Sequence, residues 1–342
     1  MSTPDGPRFR LDGVVPLGAS PPGEAGALGR DPFEGVDLPD PVLDDLSILP
    51  PPRPPARPLG EEIPAEPRGL LERWMGDDVC QRLAALEALA AAQEPGAAGV
   101  SPRILRRVLP PFLALYRNWF RVRSRGHENL PAEGAAILAA NHGGLLPFDG
   151  AMTVLDVWLR SAPPRLPRAI FDRFAARIGP VRRLFESAGA VTASRESFAQ
   201  QLRTGHLVLV FPEGMEGIVK PVTQRYRLQT FHTGFVRQAL QQQVPVVPVA
   251  ILGSDDQAPI LYDVKPLARR LGLPAAPITP TFPWFGPLGL VPYPVRYCIV
   301  YGEPIDFASR YGPEASGDDR LVGELARRVR SKVQRLVDRN RS

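Results

Sequence analysis

The chain has 342 residues, 44% of them apolar, with 41 prolines and a formal net charge of +5. That length suffices for one large core or two ordinary domains, and the composition is that of a globular protein, not a fibre or a membrane span. Two cysteines in unrelated contexts, Cys80 and Cys298, with no C-x-x-C pair and no histidine cluster, argue against a disulfide framework and against a zinc site.

Residues 1–68 hold 16 of the prolines, 12 acidic residues and 6 arginines, a net of −6, which leaves +11 for the rest. PPRPPARP at 51–58 favours extended polyproline conformation, and the segment lacks helix or strand periodicity, so 1–68 is expected to be a disordered acidic tail. The opening MSTPDGPRFRLDG has no signal-peptide pattern, and no apolar run reaches the roughly 18 residues of a membrane helix. The chain is therefore expected in the cytoplasm, with any membrane contact peripheral and on the inner face. A basic body calls for an acidic partner: nucleic acid, phosphate esters or anionic lipid.

A domain is expected over 69–342, introduced by helices in 69–118. Residues 70–93 carry a Leu- and Ala-rich helical pattern ended by Pro95-Gly96. Ser101-Pro102 reads as the start of a second helix bearing Arg103, Arg106 and Arg107, which Pro110-Pro111 should break. Such a basic amphipathic helix suits an anionic membrane or a solvated packed face equally.

From residue 119 strands alternate with helices. FRVRS (120–124), AAILAAN (135–141), RAIF (168–171), AVTAS (190–194), HLVLVF (206–211), VPVVPVAIL (244–252) and PVRYCIVYG (294–302) read as strands. Residues 149–160, 196–205, 230–243 and an amphipathic 318–340 read as helices. The expected fold is α/β, a mostly parallel central sheet flanked by helices.

Three strand ends carry chemistry. AANHGGLLPFDG (139–150) delivers His142 on a glycine turn and Asp149 in the following helical turn, where open α/β sheets hold ligands. A carboxylate on one imidazole nitrogen makes the other a base for a hydroxyl, although Asp149 could equally serve the helix dipole and His142 the loop. LVLVFPEGMEG (207–217) presents Phe211, Pro212, Glu213 and Gly214, with Glu213 able to bind ligand hydroxyls or orient arginines, and Lys220, Arg225 and Arg227 suited to a phosphate. GAVTASRES (189–197) aims Arg195 at the same edge. TPTFPWFGPLGLVPYP (279–294) is an aromatic, proline-rich stretch that would either seat at a lipid interface or cover an apolar tunnel.

NHGGLLPFD, GAVTASR, FPEGMEG, VPVVPVAILG and YGEPI, in that order, resemble the blocks of the lysophospholipid/glycerol-phosphate acyltransferase family, over about residues 115–307. The resemblance implies acyl transfer from coenzyme A or acyl-carrier protein to a lipid hydroxyl, with His142 and Asp149 catalytic, Arg195, Phe211, Pro212, Glu213, Gly214, Lys220, Arg225 and Arg227 binding substrate, and no permanently bound cofactor or metal. Gly143 and Gly144 are the candidate oxyanion donors. The chain departs from the family in two places. The family's four residues between His and Asp would put the acid at Pro147, but here six intervene; and Met215-Glu216 stands where Thr or Ser then Arg is usual, which opens the acceptor to neutral or amino lipids. No G-x-S-x-G elbow supports a serine esterase, and no recognition motif supports nucleic-acid binding. The competing reading is a non-catalytic lipid-binding or scaffold protein on the same fold.

Overall fold

The computed structural model describes residues 69–91, 100–172, 176–177, 179–273 and 275–341. The expected disordered tail (1–68) and the helix stop at Pro95-Gly96 lie outside them.

Seven strands form one sheet in the order β1-β9-β6-β2-β5-β3-β4: β1 Arg123–Arg125, β2 Ala136–Ala140, β3 Arg168–Phe171, β4 Val191–Thr192, β5 Leu207–Val210, β6 Val246–Leu252 and β9 Cys298–Tyr301. From β6 to β4 all neighbours are parallel; β9 runs antiparallel to β6, and β1 parallel to β9. β2 is central and wholly buried. Its side chains alternate between two cores, Ile137 and Ala139 to one face, Ala136, Leu138 and Ala140 to the other. Burial on both faces is why the strand reads as an unbroken apolar run.

The amino-terminal helices are α1 Leu70–Met75, α2 Asp77–Ala91 and α3 Pro102–Ala114; they pack with α4 Phe148–Arg160 on the second face. The expected single helix over 70–93 is two, parted at Gly76, whose φ of 92° lies outside the helical region. Pro110-Pro111 does not break α3, which continues into a π turn at Leu115–Trp119. Residues 106 and 107, whose carbonyls lose those two N–H donors, are exposed, so water can replace them. Arg106 is engaged by Glu87 of α2, so part of α3's basic face is a packed contact.

After α5 Gly179–Ser187 comes α6 Arg195–Arg203, capped by Ser194, whose Oγ accepts from Ser197 N at 3.0 Å. α7 is Met215–Ile218 and α8 Gly234–Gln242. Between β6 and β9 lie a hairpin (β7 Tyr262–Asp263, β8 Pro277–Ile278) and α9 Lys265–Leu271, none of which the periodicity announced. α10 Asp319–Asn340 closes the first face with Val322, Leu325, Val329 and Val333, and Asp318 caps it through Arg320 N and Leu321 N. No helix among the described residues is long and apolar enough to cross a membrane.

Candidate active site

The carboxyl ends of β2, β5 and β6 meet, and the site is assembled by backbone capture. Beyond β2, Asn141 turns its amide onto β6: Oδ1 accepts Ile251 N at 2.7 Å and Nδ2 donates to Ile251 O at 2.9 Å. The side chain completes the ladder where the strands part. The next residue, His142, donates its backbone N–H to Glu213 Oε1 at 2.8 Å.

The Gly143–Pro147 loop then returns the chain so that Asp149, in the first turn of α4, reaches the imidazole: His142 Nδ1 to Asp149 Oδ2 is 2.6 Å. Asp149 also accepts Gly143 N at 3.1 Å and Gly150 N at 2.8 Å and is fully buried. A carboxyl accepting two backbone N–H groups acts as an acceptor toward the ring as well, which leaves the hydrogen on Nδ1 and the lone pair on Nε2. Nε2 has no partner among the described residues, and the side chain keeps about 11% of its surface exposed. Phe211 stacks on the ring, centroids 4.1 Å apart and planes 22° from parallel.

The loop is tight enough to need its glycines. A Cβ on Gly143 would lie 2.2 Å from Asp255 Oδ1, and Gly144 has φ +82° with Gln257 packed against it. Gln257 Nε2 donates to Leu146 O at 3.2 Å and Gly143 O at 3.4 Å, and Tyr297 Oη donates to Gln257 Oε1 at 2.6 Å. Burial pushes the Tyr297 hydroxyl well above its ordinary value, so it stays a donor.

Several residues do something other than expected. Glu213 is fully buried, with Oε1 on His142 N and Oε2 on Gln229 N at 2.6 Å, so both carboxylate oxygens anchor backbone. Lys220 is also buried: its ammonium lies 3.1 Å from Asp255, 4.0 Å from Glu213 and 3.3 Å from His142 O. Burial raises both carboxyls, and the shared Lys220 charge opposes the rise. Arg225 pairs with Asp256 at 3.2 Å, and Arg227 is exposed away from the cleft. Gly143 N–H is spent on Asp149; Gly144 N–H has no partner among the described residues. Gly214 begins α7 at φ 58° and ψ −146°, a conformation open to glycine.

On the β3 and α8 side opens a cleft of about 510 Å³, which His142 itself does not line. Phe211 and Pro212 line it with Arg195, Phe198, His232 and Arg237. Phe211 thus touches both the cleft and the imidazole. Arg237 is turned to Ser316 O and Asp319; Arg195 is exposed and has no charged partner among the described residues. Asp255, Gln257, His232 and Arg237 escaped the sequence reading. The polar run S-D-D-Q directly after β6, at another strand end, was the available signal for the first two.

A family model described as Acyltransferase matches residues 121–252. An uncharacterized protein of Mycobacterium tuberculosis is 40% identical over 243 residues, 70% of this chain and 68% of its own length; one of Mycobacterium leprae is 39% identical over 243 residues, 70% and 66%. The chain thus spans about two thirds of these relatives. The human "DGAT1/2-independent enzyme synthesizing storage lipids" is 25% identical over 232 residues, 65% of this chain and 62% of that protein. Among solved structures, the 1-acyl-sn-glycerophosphate acyltransferase PlsC of Thermotoga maritima overlaps 77% of this chain and 82% of its own, with a TM-score of 0.45 and 19% identity.

Proposed function

The chain belongs to the acyltransferase family, and from that premise we propose that it transfers a fatty acyl group from a coenzyme A or acyl-carrier thioester to the hydroxyl of a lipid alcohol. The observation that carries this reading is the 2.6 Å His142–Asp149 contact, which leaves Nε2 without a partner among the described residues, on a ring stacked against the cleft-lining Phe211. Nε2 takes the acceptor's hydroxyl proton as its oxygen attacks the thioester carbonyl. The tetrahedral intermediate collapses by breaking the C–S bond, and the imidazolium returns the proton to the leaving thiolate. The products are the ester and a free thiol, with no acyl-enzyme and no metal in the sequence of steps. Asp149 holds the tautomer and stabilises the imidazolium; we assign Gly144 N–H to the developing oxyanion.

For the acceptor, the placement of charge favours an uncharged headgroup over a phosphate. Lys220, Arg225 and Arg237 are each committed to a carboxylate of the protein, and of the cleft-lining arginines only Arg195 has no such partner among the described residues. A phosphate dianion buried against one guanidinium would be poorly compensated. The storage-lipid naming of the human relative agrees in direction. The reading places the reaction at the inner face of the cell membrane, with the protein bound peripherally.

The test is transfer of radiolabelled acyl groups from acyl-coenzyme A and from acyl-carrier protein to diacylglycerol, monoacylglycerol and lysophosphatidic acid. His142→Ala should lose at least about 10²-fold in rate. An unchanged rate removes the role assigned to His142, and no transfer by wild type to any acceptor leaves the non-catalytic lipid-binding or scaffold reading. A strong preference for lysophosphatidic acid removes the neutral acceptor.

A further inference from the structure

The segment joining β6 to β9 carries charge and apolar surface in an arrangement the catalytic steps do not use. Asp255 and Asp256 stand near its start, but from Gln257 to Tyr297 it has one acidic residue, Asp263, against Lys265, Arg269, Arg270 and Arg296. All four basic residues are exposed, whereas Asp263 is partly buried and accepts Ala276 N at 2.9 Å. The same segment exposes Trp284 (72%), Phe285 (65%) and Leu288 (75%), with Leu261, Tyr262 and Val291 also exposed. A soluble surface seldom gathers large apolar side chains on one lobe without a use for them.

This is an ordered projection. Thr279 Oγ1 accepts Phe282 N at 2.9 Å, Phe285 N donates to Thr281 O at 2.9 Å, and Thr281 Oγ1 donates to Gly289 O at 2.9 Å. Gly289 has no room for a side chain, since a Cβ would sit 2.4 Å from Thr281 O. The loop is closed on itself, and its Trp and Phe point outward. Trp284, Phe285 and Leu288 are exposed and do not line the cleft. The loop is tied down at its carboxyl flank: Trp119 Nε1 donates to Pro292 O at 3.1 Å, and Tyr293 N donates to Gln257 O at 2.7 Å. Gln257 is the residue that holds the loop carrying His142.

We propose that the β6–β9 lobe is the membrane-docking element: Trp284, Phe285 and Leu288 enter the interface of an anionic bilayer while Lys265, Arg269 and Arg270 engage its headgroups. Exposed apolar side chains and exposed basic residues on one connection, with one acid between Gln257 and Tyr297, are complementary to a negatively charged lipid surface, where each buried apolar side chain and each nearby cation adds to binding. Through Gln257 the docked lobe is joined to the loop of the base. This deepens the functional reading by naming the surface that meets the lipid, but its test does not depend on catalysis.

The experiment is flotation of the full chain with phosphatidylcholine vesicles, with and without phosphatidylglycerol, alongside Trp284 fluorescence quenching by brominated lipid. The variants are Trp284→Ser/Phe285→Ser/Leu288→Ser and Lys265→Gln/Arg269→Gln/Arg270→Gln, with unchanged circular dichroism as the folding control. Wild type should float with the anionic vesicles, and the apolar variant should bind at least about tenfold less. The charge variant should lose the preference for phosphatidylglycerol, as should wild type at about 1 M salt, where the Debye length falls to about 3 Å. His142→Ala should float like wild type, which separates failure of docking from failure of acyl transfer. Equal flotation of wild type and the apolar variant overturns the proposal. So does a wild-type dimer in light scattering that the apolar substitutions dissolve while vesicles capture neither form.

Discussion

Glu213→Gln decides between two roles for the acid of the F-P-E-G block. The sequence offers Glu213 to a ligand; the structure buries it completely and gives both oxygens to backbone donors, His142 N at 2.8 Å and Gln229 N at 2.6 Å. The glutamine is isosteric, but its amide nitrogen cannot accept, so one of those N–H groups must face another donor. An unsatisfied buried donor costs about 1–3 kcal/mol. Burial raises the Glu213 carboxyl, against the pull of Lys220 at 4.0 Å, so removing its charge returns part of that cost. The net expectation is a loss of about 1–2 kcal/mol, read as a lower urea midpoint or a Tm drop of about 2–4 °C per kcal/mol. Because His142 N is one of the two anchored groups, the imidazole should also shift. kcat should fall by roughly 10- to 100-fold with little change in the acceptor's KM, since misplacement by about 1 Å can cost that much. The measurement is chemical denaturation together with steady-state kinetics on the same preparation. A raised acceptor KM with unchanged kcat and unchanged midpoint would refute the anchoring argument and return Glu213 to the ligand.

Asp149→Asn should lower kcat by about 10²–10⁴ while the protein stays folded, because an amide facing Nδ1 favours the tautomer with its hydrogen on Nε2; acyl-transfer kinetics and circular dichroism check it. Gly143→Ala would place a methyl 2.2 Å from Asp255 Oδ1, on a carboxylate already fixed by Lys220 and Tyr226 N, so the loop must move; activity should fall at least about tenfold, and wild-type kinetics would show that the loop has slack. Asp156 sits buried on α4 and accepts Tyr116 Oη (2.5 Å), Ser124 Oγ (2.6 Å), Tyr301 Oη (2.8 Å) and His127 Nε2 (3.0 Å). Burial pushes its carboxyl up, but the bonds from His127, Ser124 and Tyr116 outweigh that and hold it below the ordinary aspartate value. A depressed folded-state value stabilises the protein above the unfolded value near pH 4, and that contribution is lost as pH falls through the folded value. Asp156→Asn should therefore cost about 3–5 kcal/mol at neutral pH and flatten the acid limb of a stability–pH curve; parallel wild-type and variant curves would contradict this.

The sheet was legible wherever burial on both faces writes an uninterrupted apolar run, as in Ala136–Ala140, Leu207–Val210 and Val246–Leu252. Its short edges were overdrawn. FRVRS alternates with period two, but the paired strand is Arg123–Arg125, and of AVTAS only Val191–Thr192 pair. The lobe between β6 and β9 was illegible as structure because loop side-chain bonds such as those of Thr279 and Thr281 have no periodicity. In the site, the meeting of His142 with Asp149 could be anticipated from strand end, glycines and helix start. The conversion of Glu213 and Lys220 into anchors could not. Whether a charged side chain points into a cleft or under a loop depends on what lies beneath it, here Asp255 in the turn after β6.

Six residues separate His142 from Asp149, and a loop of that length must be held if the imidazole is to keep one position. The structure holds it with fixtures on each part of the loop. Its start is held by Asn141 on Ile251 and by Glu213 on His142 N. Its end is held by α4, with Asp149 accepting from Gly143 as well as from the imidazole, so one carboxylate spans the whole loop. Its middle is held by Gln257, which takes the carbonyls of Gly143 and Leu146 and is itself fixed by Tyr297. Only the first two sets of fixtures belong to the recognisable sequence blocks. The third comes from the β6–β9 connection, the same segment that presents Trp284, Phe285 and Leu288 outward. The loop that follows His142 is therefore held in part by that connection. Through Gln257, the exposed lobe and the imidazole share one chain of hydrogen bonds: Tyr293 N to Gln257 O, then Gln257 Nε2 to the carbonyl of the residue after the base.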